Sequence, residues 1–334
     1  MVKVQSYVPS GSGAWILHEQ LRAALPDYQL HRYSRWWEVF PPGMPLLRKG
    51  HADLIHATLD YGALFRSPGT PLVTTAHNFV LDDGMRPYAS PLQRLHYRTD
   101  LRWFTLLGLR YSDRVVAVSR FVANRLKQDL GYRGRIDVIY NGVDTERFTP
   151  GTERGSSPHF RVLFCGNTTR RKRAKLLVPL ANALGSRFEI QYTAGLSRSS
   201  MLPGVLQPNS ARLKSLGKVP HAQMVDLYRQ VDLLFMPSAR EGFGLCVAEA
   251  MACGLPVVAA GGSAMDELIA EQQGGFLCEV DDVTGFAEAI RGIADDHHLA
   301  TQMGQFNRAR VEQQFMLGNM VDAYRKLFVE VLDG

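Results

Sequence analysis

This sequence predicts an α/β protein built from two doubly wound domains, on three observations. Short, continuously apolar runs alternate with helical stretches through both halves of the chain. The series breaks once, at the polar segment GTERGSSPH (151–159), and then starts again. The 334 residues suffice for two domains of ordinary size, at about 100–200 residues each. Continuous apolar strands are buried on both faces, as in a parallel sheet, and their alternation with helices implies βαβ units.

Taken in order, VKVQSYV (2–8) reads as a strand, followed by the turn PSGSG and a helix over about 14–25. Further strands are DLIHAT (53–58), PLVTTAH (71–77) and RVVAVS (114–119), with helices over 91–112 and 120–131. Beyond the polar segment, RVLFCGN (161–167) opens the second series, with a helix near 172–184. The strands FEIQYTA (188–194), DLLFMP (232–237) and LPVVAA (255–260) follow, and helical patterns cover about 281–294, 297–313 and 317–332. In open α/β sheets ligands bind beyond the carboxyl ends of the strands, which directs attention to the turns there.

Composition narrows the function classes. No run approaches the roughly 18 apolar residues of a membrane span, and the first residues show no secretory leader pattern. Cys165, Cys246, Cys253 and Cys278 lack any CxxC or Cys/His metal spacing and read as buried free thiols of a reducing compartment. The net charge is +6, and it is uneven: residues 1–150 hold 19 Lys+Arg against 13 Asp+Glu, whereas 151–334 are neutral. Phosphates, anionic lipids and nucleic acids are the usual partners of such asymmetry.

The chemistry concentrates in PSAREGFGLCVAEAMACGLPVVAAGG (237–262). Gly242 and Gly244 let backbone amides approach a ligand before a short helix, whose free N–H groups suit a diphosphate. Glu249, further into that helix, would repel a phosphate, but it can accept hydrogen bonds from a ribose diol. Glu241, on the loop, can accept from hydroxyls at the ligand's other end. Two carboxylates flanking an anion site suggest a sugar, a diphosphate and a ribose in line. In FCGNTTRRKRAKLL (164–177) a glycine turn after a strand leads into Arg170, Arg171, Lys172 and Arg173, a cluster able to clamp a diphosphate from a second side. The competing readings are a solvated Glu249, a Glu241 serving as helix cap, and a solvated charge run.

These segments, with VIYNGVDTERFTP, SDRVVAVSRFVANRL, TTAHNFV and SLGKVPHAQMVDLYRQVDLLFMPS in this order, resemble the retaining nucleotide-sugar glycosyltransferases of family 4 over nearly the whole chain. The resemblance implies a GT-B fold: two Rossmann-like domains facing a central cleft, with 1–150 binding the acceptor, 151–315 binding the nucleotide sugar, and a C-terminal helix (316–334) packing back on the first domain. It implies that Glu241 contacts the donor sugar, that the amides of Phe243, Gly244 and Leu245 contact sugar and phosphate, that Glu249 binds the ribose, and that Lys172 and Arg171 bind the diphosphate. Lys218 and Val219 would hold the base, and Gly11 and Gly13 would approach the phosphate from the first domain. His77 matches the histidine facing the donor sugar near the reaction centre, so His77, Glu241 and Lys172 are the catalytic candidates. Two positions depart from the family: Asn167, counted among the donor-binding candidates, stands where an arginine is frequent, and Arg173 stands where glycine is frequent, which redistributes the clamp among Arg170, Arg171 and Lys172.

The function expected is therefore transfer of a hexose from a UDP- or GDP-sugar to a glycan or lipid-linked sugar acceptor, in surface polysaccharide or lipopolysaccharide synthesis. No cofactor and no metal are expected, since a cationic clamp does the charge neutralisation. Placement in the cytoplasm, at the inner face of its membrane, accords with RYSRWWEVFPPGMPLLRKG (32–50) and LQRLHYRTDLRWFTLLGLR (92–110), where aromatic and basic residues mix as at a membrane interface. The alternatives are a GT-B epimerase or phosphorylase, a dinucleotide-dependent dehydrogenase resting on the degenerate PSGSGAW fingerprint, and a nucleic-acid binder with steep salt dependence.

Overall fold

The computed structural model describes all residues except 1, 11–12, 152–156, 168, 194–201 and 203. Gly11, the middle of the polar segment and the end of the expected strand 188–194 thus lie outside the described residues. The chain divides into two compact units, Met1–Gly142 with Leu317–Gly334, and Val143–Met316.

Unit one holds β1 (Val4–Pro9), β2 (Tyr28–Tyr33), β3 (Leu54–Thr58), β4 (Leu72–Ala76), β5 (Arg114–Ala117) and β6 (Ile136–Val138). All its pairings are parallel, in the order β2-β1-β3-β4-β5-β6. Unit two holds β7 (Phe160–Cys165), β8 (Phe188–Thr193), β9 (Arg212–Gly217), β10 (Leu233–Met236), β11 (Val257–Ala260) and β12 (Gly275–Cys278), again all parallel, in the order β12-β11-β10-β7-β8-β9. Each sheet reverses its strand order once, between β1 and β3 and between β7 and β10. Such switch points open a crevice at the strand carboxyl ends.

The helix Leu317–Leu332 belongs to unit one, where the Tyr324 hydroxyl lies 3.0 Å from Thr75 Oγ1 of β4. Two helix readings change. The helix expected near 172 starts at Leu177, because Arg170–Lys172 and Ala174–Leu176 form tight 3₁₀ turns on either side of Arg173, which takes a left-handed φ of 59°. The stretch 91–112 is helical to Tyr111 but passes through a π-helical turn at Tyr97–Leu101.

Candidate functional site

Because β7 and β10 pair directly, the loops leaving their carboxyl ends lie side by side, although about 70 residues separate them in sequence. The backbone binds them together: Ala239 N donates to Arg171 O at 2.9 Å. Across this seam Lys172 Nζ is 2.7 Å and an Arg171 guanidinium nitrogen 2.9 Å from the same oxygen of Glu241, Oε1. Glu241 is buried, and burial alone would raise its pKa. The Lys172 ammonium and the Arg171 guanidinium outweigh that and hold the carboxyl below the usual range. A depressed folded pKa means that this pairing stabilises unit two above the unfolded carboxyl value of about 4.3, and that the contribution is lost as pH falls through the folded one.

Arg173 does not join the clamp. Its side chain turns to Asp281, with Nε donating to Oδ1 at 2.6 Å. The left-handed backbone explains why glycine is frequent at this position, and the ion pair offsets strain that a side chain incurs there. Arg170 is exposed. The clamp therefore narrows to Arg171 and Lys172. Asn167 is exposed as well, and its Oδ1 accepts from the Thr169 hydroxyl at 2.7 Å.

The loop after β10 ends at Gly244, which caps the helix Leu245–Ala252 with φ 96° and no side-chain cap bond. A Cβ there would meet only the flexible end of the Met265 side chain, 2.4 Å from its Cε, so it is the left-handed conformation that requires glycine. Phe243 is buried with its ring edge-on to Phe315 at 5.7 Å, which anchors the turn. The amides of Leu245 and Cys246 precede the first intrahelical bonds and form the positive end of the helix. Its N-terminus adjoins the Glu241–Lys172–Arg171 cluster through the four-residue run 241–244.

Glu249 is not a solvated helix residue; it is 5% exposed. Its Oε1 lies 2.6 Å from His221 Nε2, and its Oε2 accepts from the Tyr228 hydroxyl at 3.1 Å. His221 and Tyr228 went unread in the sequence. The one signal available was that His221 follows Val219 by two residues, just beyond the strand β9 that ends before Lys218. Lys218 is exposed and Val219 half-buried.

In unit one, Gly13 stands at the N-terminus of the helix Ala14–Ala24. His77 follows β4, with its Nε2 3.2 Å from Nε2 of His18. Loss of water around its ring pushes the His77 pKa down to about 3, so it is neutral at ordinary pH.

Residues 208–310 match the family described as Glycosyl transferases group 1, and residues 3–147 match Glycosyltransferase Family 4. The D-inositol 3-phosphate glycosyltransferase 1 of Catenulispora acidiphila is 30% identical over 298 residues, covering 77% of this chain and 67% of that protein. The N-acetyl-alpha-D-glucosaminyl L-malate synthase of Bacillus anthracis is 28% identical over 236 residues, covering 67% of this chain and 61% of that one. The chain spans between 46% and 67% of the length of such curated relatives. Among solved structures, Anabaena HepE with UDP and glucose superposes with a TM-score of 0.77 at 20% identity, covering 98% of this chain and 100% of its own. The sucrose-phosphate synthase of Thermosynechococcus elongatus gives 0.79 at 19% identity, with coverage of 98% and 100%. At those identities the two structures speak for the fold.

Proposed function

The chain belongs to glycosyltransferase family 4 and has the GT-B fold, and on that premise we propose that it moves a hexose from a UDP- or GDP-sugar to a hydroxyl of a glycan or lipid-linked acceptor. The observation that carries this reading is the succession, along one strand–turn–helix segment of unit two, of Glu241 with its partners Lys172 and Arg171, the uncapped helix start at Gly244, and buried Glu249. In that order they match a sugar, a diphosphate and a ribose. The UDP and glucose of the HepE structure accord with it.

Arg171, Lys172 and the helix amides hold the diphosphate and stabilise the charge that develops as it departs. This is the neutralisation a divalent ion would otherwise supply, so the reaction proceeds without metal. The family resemblance supports retention of anomeric configuration, with the leaving phosphate taking the acceptor proton from the same face. The donor site is tested by thermal shift against UDP-, GDP-, ADP- and TDP-sugars with EDTA present, wild type beside Glu249→Ala. One nucleotide series stabilises the wild type and not the variant; absence of stabilisation by every donor, with both proteins folded, sinks the reading.

The surplus cation of unit one fits an anionic acceptor or membrane surface, and surface polysaccharide or lipopolysaccharide synthesis provides acceptors of that kind. Trp36 is 72% and Trp103 62% exposed, with Phe40, Leu46, Leu92 and Leu95 exposed as well and Arg35, Arg48, Lys49 and Arg94 nearby in sequence. No described helix is long and apolar enough to cross a membrane, so contact would be peripheral, by apolar side chains and basic residues together. Sedimentation with vesicles containing anionic lipid should carry the wild type down, and Trp36→Ala with Trp103→Ala should lower the bound fraction about tenfold, since two large apolar anchors leave the interface. Equal sedimentation of the two proteins refutes this contact. Because the relatives include inositol 3-phosphate glycosyltransferases, the acceptors assayed include a cyclitol phosphate beside lipid-linked sugars.

A further inference from the structure

Behind His77, six polar side chains of unit one (Ser6, His18, Tyr28, His56, Thr75 and Tyr324) are shut away from water. They connect in series. The Tyr324 hydroxyl is 3.0 Å from Thr75 Oγ1, which is 2.8 Å from His56 Nε2. His56 Nδ1 is 2.6 Å from the Tyr28 hydroxyl, and that hydroxyl is 2.7 Å from His18 Nδ1. Ser6 Oγ joins at 2.8 Å from the same His18 nitrogen and also bonds Tyr28. His18 Nε2 then meets His77 Nε2 at 3.2 Å. The rings do not converge on an ion; among the described residues no group of three or more His, Cys, Asp or Glu is placed to hold one.

Counting protons fixes the direction of this series. Each hydroxyl has one proton to give and each neutral imidazole one N–H. Burial pushes His18 and His56 well below the ordinary histidine range, and the neighbouring rings push them further. Suppose Tyr324 donates to Thr75 and Thr75 to His56 Nε2. Then His56 Nδ1–H reaches Tyr28, Tyr28 O–H reaches His18 Nδ1, Ser6 donates into that pair, and His18 Nε2–H reaches His77 Nε2. Every buried proton has an acceptor. Reversed from end to end, the series leaves the Tyr324 phenol proton without an acceptor among the described residues. Reversed only beyond Tyr28, it strands the Ser6 proton. An unpaired buried hydroxyl is unfavourable, so the first order is selected. His77 then carries its proton on Nδ1, which has no protein partner among the described residues.

We propose that His18, Tyr28 and His56 are positioning residues that lock His77 as the Nδ1–H tautomer, so that it meets the ligand as a hydrogen-bond donor and not as a base. The proposal rests on the reading of His77 as the residue facing the donor sugar. It leaves the departing phosphate as the proton acceptor.

The test is two-bond proton–nitrogen NMR of the imidazoles in the ¹⁵N-labelled full chain, with the His77 signals assigned by their loss in His77→Gln. Wild type shows His77 with the proton on Nδ1, although free imidazole favours Nε2. His18→Leu removes the donor and shifts His77 to Nε2–H. His18→Gln, whose amide N–H can replace the imidazole donor, retains Nδ1–H. Tyr28→Phe combined with Ser6→Ala, which leaves no hydroxyl against His18 Nδ1 to set the order, gives a mixture. In turnover, His18→Leu lowers kcat about tenfold with the donor KM within about twofold, and His18→Gln restores most of it. A wild-type Nε2–H signature, or an unchanged tautomer in a folded His18→Leu, overturns the proposal. The spectrum reads the tautomer whether or not any donor is turned over, so failure of the relay and failure of the transferase reading remain distinguishable.

Discussion

Lys172→Ala lowers kcat about 10²–10³-fold, the scale seen when one preorganised donor to a developing charge is removed, while the protein stays folded. Lys172 Nζ and the Arg171 guanidinium share Glu241 Oε1 at 2.7 and 2.9 Å. Taking away the lysine therefore leaves the buried carboxylate one cation, and the melting temperature moves by only a few degrees. Turnover is different, because charge grows on the diphosphate as the glycosidic bond breaks, and a point charge held still beside it acts mainly in the transition state. Donor KM rises much less than kcat falls. Lys172→Arg restores only part of the rate, since a planar fork does not reproduce a compact ammonium. Steady-state kinetics over a range of donor concentrations separates the two constants. A kcat within threefold of wild type would remove Lys172 from the chemistry and leave it a structural partner of Glu241.

What the sequence revealed and what it concealed follow one physical division. The eight interior strands of the two sheets were readable: β10 and β11 are fully buried, and both faces demand apolar side chains. The four that went unread, β2, β6, β9 and β12, are the four sheet edges. RLKSLG in β9 and YQLHRY in β2 cover one flank only, and carry the polar residues that keep an edge from pairing further. The site divides in the same way. Glu241 and Glu249 share one strand–turn–helix segment and Arg171 and Lys172 another, so local spacing pointed to them. His221 reaches Glu249 across 28 residues and His18 reaches His77 across 59, and no local pattern records such contacts. A lone histidine in VPHAQM or WILHEQ has no periodicity to mark it.

Glu249→Ala raises the donor Kd about 10²-fold or more, by loss of two hydrogen bonds to a charged acceptor at about 1.5–3 kcal/mol each, and it also destabilises unit two. Both carboxylate oxygens are engaged in the ligand-free chain, Oε1 with His221 and Oε2 with Tyr228. A carboxylate has about four acceptor positions, so two remain open to a ribose diol, and if either partner gives way it is the one with room to move. Tyr228 is fully buried among Phe148 and the helix, with nowhere to withdraw. The His221 side chain is 43% exposed and can swing into water, so it is the partner able to yield. Two variants separate fold from binding. Glu249→Gln keeps an acceptor for Tyr228 and the side-chain volume but gives up the charge; it should remain folded with Kd raised about 10-fold, the loss of charge assistance alone. His221→Ala removes the competitor and leaves the carboxylate waiting; nucleotide-sugar binding should hold steady or tighten by up to about fivefold, against a loss for every other change in the site. Calorimetric titration of the four proteins with the stabilising nucleotide sugar decides the matter. If His221→Ala weakens binding as Glu249→Ala does, the imidazole is itself a ligand group and the ribose sits against both residues, not in place of one.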